Sequence, residues 1–166
     1  MLASPAPDRG AHPETRSVHT LLWAAITVAF ASAQPAAANP ACTFLTATEI
    51  ASLIGKGATT IPVAANGGNG SCRFQNGDKV VTVLVAKQAS INEAASAWGD
   101  KKRMLSGQDV AGLGDKAYTA MVGKGVLVAV VQGSRFIEVA TVDAAQKSAD
   151  VSVKVRAILK GALTRL

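Results

Sequence analysis

The stretch KAYTAMVGKGVLVAVVQGSRFIEVATV (Lys116–Val142) decides the architecture. Three β-rich runs, 116–122, 126–132 and 135–142, are separated by Gly123-Lys124-Gly125 and Gly133-Ser134. Glycine-containing connections this short turn the chain back on itself, so the stretch predicts an antiparallel meander. The middle run is apolar on both sides of its pleat. Val126, Val128 and Val130 fall on one face, and Leu127, Ala129 and Val131 on the other. A strand with one wet face alternates apolar with polar residues. This one does not, so both of its faces must meet something apolar.

Outward from the meander the chain supplies candidate covers. On the C-terminal side, Val151, Val155, Ile158, Leu159, Ala162 and Leu163 form one helical stripe, with Asp143 as its expected cap. On the N-terminal side, Gly112-Leu113-Gly114-Asp115 turns into the first run, and Asp115 reads as the cap of that turn. Ser90 and Glu93 have capping-box spacing and open a helix to about Arg103, with Ile91, Ala94, Ala95 and Trp98 on its inner face. Lys101-Lys102-Arg103 then complements the negative end of that helix.

Lys79–Lys87 is a further two-sided strand, with Val81, Val83 and Val85 opposite Val80, Leu84 and Ala86. Asn76-Gly77 reads as a hairpin turn joining it to Ser71–Gln75, which places Cys72 and Phe74 on alternate positions. Lys56–Gly70 is rich in Gly, Asn, Thr and Ala and reads as a loop; its Gly67-Gly68-Asn69-Gly70 segment feeds a strand, unlike a phosphate loop, which feeds a helix. Thr46 and Glu49 repeat the capping-box spacing ahead of Ile50, Leu53 and Ile54, and Gly55 stops that helix. The order predicts an α+β domain over residues 39–166: a single antiparallel β-sheet of about five to six strands with three helices packed on it.

Residues 1–38 have another character. A polar start with Arg9 and Arg16 leads to an apolar run, Leu21–Ala33, that is shorter than the roughly 18 residues of a membrane span. Ala31-Ser32-Ala33 and Ala36-Ala37-Ala38 follow as small-residue cleavage patterns. The combination predicts a signal peptide and linker, cut after Ala33 or Ala38, and hence a periplasmic or secreted protein. In an exported chain the even cysteine count makes Cys42 and Cys72 read as a disulfide. Cys42 is a poor site for lipidation, because Asn39, Pro40 and Ala41 precede it.

Cleavage also removes His12 and His19, both histidines of the chain. Ser-His-Asp and Cys-His sites then cannot form, and the common zinc sites lose their main ligand. Most acids have local roles, with Glu49 and Glu93 at helix starts and Asp78 in a hairpin turn. No catalytic residue, cofactor or metal is therefore expected. The formal charge of +6 is spread along the chain, which argues against a nucleic-acid partner. Trp98 is expected in the core, while the role of Tyr118 stays open.

From Cys42 onward the chain resembles a family of small exported bacterial proteins of unknown function, many of them actinobacterial lipoproteins. It also looks like their relative, the extracellular sensor domain of a mycobacterial serine/threonine kinase. The resemblance rests on Cys42 followed by Leu45-Thr46, on Leu53-Ile54-Gly55, on Cys72 with Phe74, and on Gly112-Leu113-Gly114-Asp115-Lys116-Ala117-Tyr118. It implies a disulfide-linked α+β envelope domain and brings no catalytic residues. Lacking a lipobox, this chain departs from the lipoprotein members, so membrane anchoring does not carry over.

These readings predict an exported, non-enzymatic binding or sensor-like domain whose partner is an envelope protein or a small ligand. The alternative is a secreted inhibitor of another enzyme, acting through the loop 56–70. Val81, Val83, Val128 and Val130 mark the expected binding face, because only the short first helix and that loop remain to cover it. Intact mass of the protein from its native envelope should give Gln34 or Asn39 as the first residue. A retained Met1 would refute export through a cleaved signal.

Overall fold

A computed structural model describes residues 39–66, 69–143 and 148–166. The predicted signal peptide and linker, the Gly67-Gly68 part of the predicted loop and residues 144–147 lie outside the described residues. The elements run α1 (Pro40–Phe44), α2 (Ala47–Ile54), β1 (Thr59–Asn66), β2 (Asn69–Asn76), β3 (Lys79–Lys87), α3 (Ile91–Met104), β4 (Gln108–Asp109), β5 (Lys116–Val122), β6 (Gly125–Gln132), β7 (Arg135–Val142) and α4 (Ser148–Leu163). The class is α+β, with, among the described residues, one antiparallel sheet of seven strands in the order β1-β2-β3-β7-β6-β5-β4 and four helices. Two meanders are thus joined through their last strands, β3 and β7, from Val80↔Val142 to Lys87↔Arg135.

The count exceeds the expected five to six strands and three helices for identifiable reasons. β1, TTIPVAAN, contains Pro62 and lies in the segment read as a loop. As the sheet's edge it pairs only with β2, and an edge strand tolerates proline because one row of its amides has no partner to lose. β4 has two residues, too few to carry a pattern. α1 is a single turn that starts on Pro40, where a missing amide costs nothing, after Asn39 as N-cap.

One local reading is also corrected. The β2–β3 turn is Gly77-Asp78, since Asn76 pairs with Lys79; Gly77 takes the positive φ. Asn76 instead donates through Nδ2 to the carbonyls of Ile54 (2.9 Å) and Lys56 (3.1 Å), fastening the hairpin to the end of α2. Asp143 is buried and sits 3.2 Å from Lys79, and its expected role as cap of α4 falls on residues 144–147, outside the described residues. The capping box of Thr46 and Glu49, the Gly55 stop and the Ser90 cap form as expected.

Helices cover the sheet unequally. α1, α2 and α4 share one face, where Phe44, Leu53, Ile54, Val155 and Leu159 meet the inward residues of β2, β3, β6 and β7. α3 alone lies on the other face, over β5, β6 and β7. The shared roof is bolted at both ends. Arg165, past α4, forks onto Glu49 at 3.0 and 2.8 Å and donates to the Phe44 carbonyl at 3.1 Å. Cys42 of α1 is bonded to Cys72 of β2, with Cα atoms 5.1 Å apart. Beside this bond Asn39 accepts from the Ala41 amide and donates to the Ser71 carbonyl, both at 3.0 Å. Gly70 has to be glycine there, because a Cβ would collide with the Asn39 side chain and Pro40.

The disulfide joins residues 30 apart. On chain-entropy grounds, replacing both cysteines by alanine should cost about 3–4 kcal/mol of unfolding free energy, less any strain released. Urea titration of the oxidised protein against the double variant measures this. Equal midpoints would show that α1 is held by its apolar contacts alone.

Candidate functional site

Val81, Val83, Val128 and Val130, the expected binding face, are each 0% exposed. They form the floor under α1, α2 and α4 and belong to the core. The expectation failed because α1 and α2 roof β2 and β3 while α4 roofs β6, so the three helices close one face between them. Among the described residues, no helix covers most of the α3 side of the first meander, where Val80 and Thr82 are half-buried and Arg73 is exposed. That surface is mixed, with Ile61 and Val142 at its borders, both 40% exposed.

A concave site lies elsewhere, at the β4–β5 edge. β4 pairs only through Gln108↔Thr119 and Asp109↔Tyr118, so Ala120, Met121 and Val122 have no strand neighbour on their outer side among the described residues. Beside them opens a groove of about 560 Å³. Ser106 and Leu105 form one wall, the face of α4 that carries Ser148, Ser152, Val153 and Arg156 forms the other, and Thr119, Met121 and Val126 form the floor. Thr119 and Ser152 tie floor to wall through their hydroxyls, 3.3 Å apart. Among the described residues, Arg156 bonds only to the Ser152 carbonyl of its own helix, at 3.3 Å. Asp109, also on the rim, is paired with Lys102 at 2.6 Å. The groove therefore combines an apolar floor, hydroxyl donors and an unmatched guanidinium.

Local geometry explains why the groove exists. At the end of α3, Ser106 has φ 51°, the sole non-glycine residue with positive φ among those described. Glycine is used at the next position instead, because a Cβ on Gly107 would press into the Tyr118 ring. The chain leaves α3 tightly and joins β5 late, which keeps β4 short and the edge at Met121 open. No strand or helix pattern reports this. One sequence signal was present: Val153 lies off the apolar stripe of α4, and it is 58% exposed on the groove wall.

A polar cluster sits beneath α3. Asp109, Tyr118, Ala129 and Glu138 form one row across β4, β5, β6 and β7. Lys101 reaches down from α3 to Glu138 at 2.6 Å. Trp98 packs edge-on to Tyr118, with ring centroids 5.9 Å apart, and carries the ammonium groups of Lys102 and Lys116 over its ring. Trp98 is half-buried against the apolar residues on this side of the sheet. Lys101-Lys102-Arg103 does end α3, and Arg103 pairs with Asp100. Asp115 accepts from the Gly133 amide at 2.7 Å and so braces two turns. Among the described residues, no three His, Cys, Asp or Glu side chains gather as metal ligands.

No protein-family model matches the chain, and no curated protein matches it.

Tyr118 is the chain's sole tyrosine, so its titration is directly readable. Burial first, and the charge of Glu138 second, push its pKa from 10.0 up to about 12. Across that window the folded state holds a proton that the unfolded state has released, so stability falls as pH rises from about 10 to about 12. Phenolate absorbance should show a midpoint near 12 and an alkaline loss of stability that Tyr118→Phe reduces. A midpoint near 10 in the folded protein would place the hydroxyl in water.

Proposed function

We propose that the protein is an exported, non-enzymatic binding domain of the bacterial envelope and that the groove between the β4–β5 edge and α4 is its site. The observation that supports this reading is the make-up of the groove, which brings apolar, hydroxyl and cationic groups around one cavity. Ligand sites are concave and mostly apolar with a few convergent polar groups. The Cys42–Cys72 bond agrees with an oxidising compartment, and no helix among the described residues is long and apolar enough to cross a membrane. The inhibitor reading relied on 56–70 as a free loop; β1 takes most of that segment into the sheet, so it is not carried forward.

Hydrogen exchange on protein purified from its envelope, with and without solubilised envelope extract, tests the site. Exchange should slow at Ala120–Val122 and over Ser148–Arg156. Val153→Asp should abolish that slowing while leaving the unfolding free energy from urea titration within about 0.5 kcal/mol of the parent, as expected for an exposed position. Slowing confined to Val80–Leu84 would move the site to the open face and overturn the assignment.

A further inference from the structure

The groove's open strand edge narrows the chemistry of what it takes. We propose that the groove binds an extended polypeptide segment, which adds to β5 at Met121–Val122 and sets a carboxylate against Arg156. The proposal rests on the groove being the binding site and goes further by naming the occupant.

The two edges of the sheet are built differently. At the β1 edge, Pro62 removes a donor and the register breaks between Pro62 and Ala64, so a foreign strand meets an irregular row. The β5 edge has neither device. Its paired stretch ends at Thr119, and beyond it Ala120 and Val122 bond inward to β6, so the backbone N–H and C=O of Met121 turn outward beside the cavity. An extended polypeptide returns such an N–H and C=O with a pair of its own at strand spacing; a fatty acid has no such pair.

Side chains and charge agree with that occupant. Met121 lies opposite Val126 on β6, on the face of the sheet that α4 covers. A residue paired with Met121 from outside projects to that same face, into the space between Met121 and Val153. Both of these are left exposed, at 53% and 58%. Asp109 is already neutralised by Lys102, so the uncompensated charge on the groove wall is the cation of Arg156. A planar guanidinium on a half-buried site favours a carboxylate, from an acidic side chain or a C-terminus.

The test starts from a phage-displayed library of random octapeptides selected on the envelope-purified protein. The best binder is then synthesised in three forms: the parent, one with its carboxylates replaced by amides, and one N-methylated at alternate backbone positions. Amide exchange and 1H–15N spectra report the contact. The parent should slow exchange at Met121 and shift Ala120–Val122. N-methylation in one of the two phases should abolish binding. Arg156→Gln and the amide form should each weaken binding about tenfold, and together no further, because they remove the same contact. The variant's thermal midpoint should match the parent's.

Three results would overturn the proposal. If N-methylated peptides bind as well as the parent, or sodium decanoate displaces them fully, the groove reads side chains or an amphipathic anion; the binding reading survives and the strand pairing falls. If the same shifts grow with protein concentration alone, a second copy of the chain is the occupant. If neither the selected peptides nor decanoate perturbs any groove residue, both the occupant and the groove assignment fall.

Discussion

Gly125 to Val131 of β6 is buried along its whole length, on both faces of the sheet. Everything else in the molecule answers that constraint. A strand dry on both sides needs two roofs, and the chain has helices for only one generous one. α1, α2 and α4 combine on one face, held there by the Cys42–Cys72 bond and by the Arg165 fork. The other face receives α3 alone, with Ala94 as its one fully buried residue. A helix so poor in apolar cover adheres through Trp98 and through the Lys101–Glu138 pair. That pair is half solvated at the lysine, so it costs less desolvation than a pair sealed on both sides, and it contributes correspondingly modest strength.

The unequal roofing also sets where the surface is available. Because α3 sits over β5–β7, no helix among the described residues covers most of the corresponding face of β1–β3, and it is furnished accordingly with Arg73, Gln75 and Thr82 among its valines. Because α3 ends in the cramped Ser106-Gly107 step, β4 begins late and the far edge of the sheet is left short. The groove is thus a by-product of how the polar roof is attached.

Much of this was legible in the amino-acid sequence, and the failures have physical causes. The two-sided apolar run at 126–131 correctly demanded cover on both faces, whereas the run at 80–86 is fully buried on one face only. Strand pattern records burial but not which helix supplies it, and so Val81, Val83, Val128 and Val130 were read as open when they are core. β1 escaped because an edge strand is held by the hydrogen bonds of its neighbour rather than by its own apolar rhythm, and TTIPVAAN has none. Asn76-Gly77 has the composition of a turn, yet the carbonyls at the end of α2 compete for the Asn76 amide and shift the turn by one residue. The groove was the least legible feature. It arises from where β4 starts, which depends on the fit of Gly107 against Tyr118 and on no local motif.

The seam between β3 and β7 carries a kinetic meaning. Each meander is made of neighbouring hairpins, so its contacts close short loops and form early. The seam joins residues that have all of α3 and β4 to β6 between them, and its loop-closure cost is met only when both halves are already ordered. Its residues Val81, Val83, Ile137 and Val139 are among the most deeply buried of those described. Docking of the two halves along this line is therefore the step expected to set the folding rate, and a half that forms before it would present a bare valine edge to any other chain nearby.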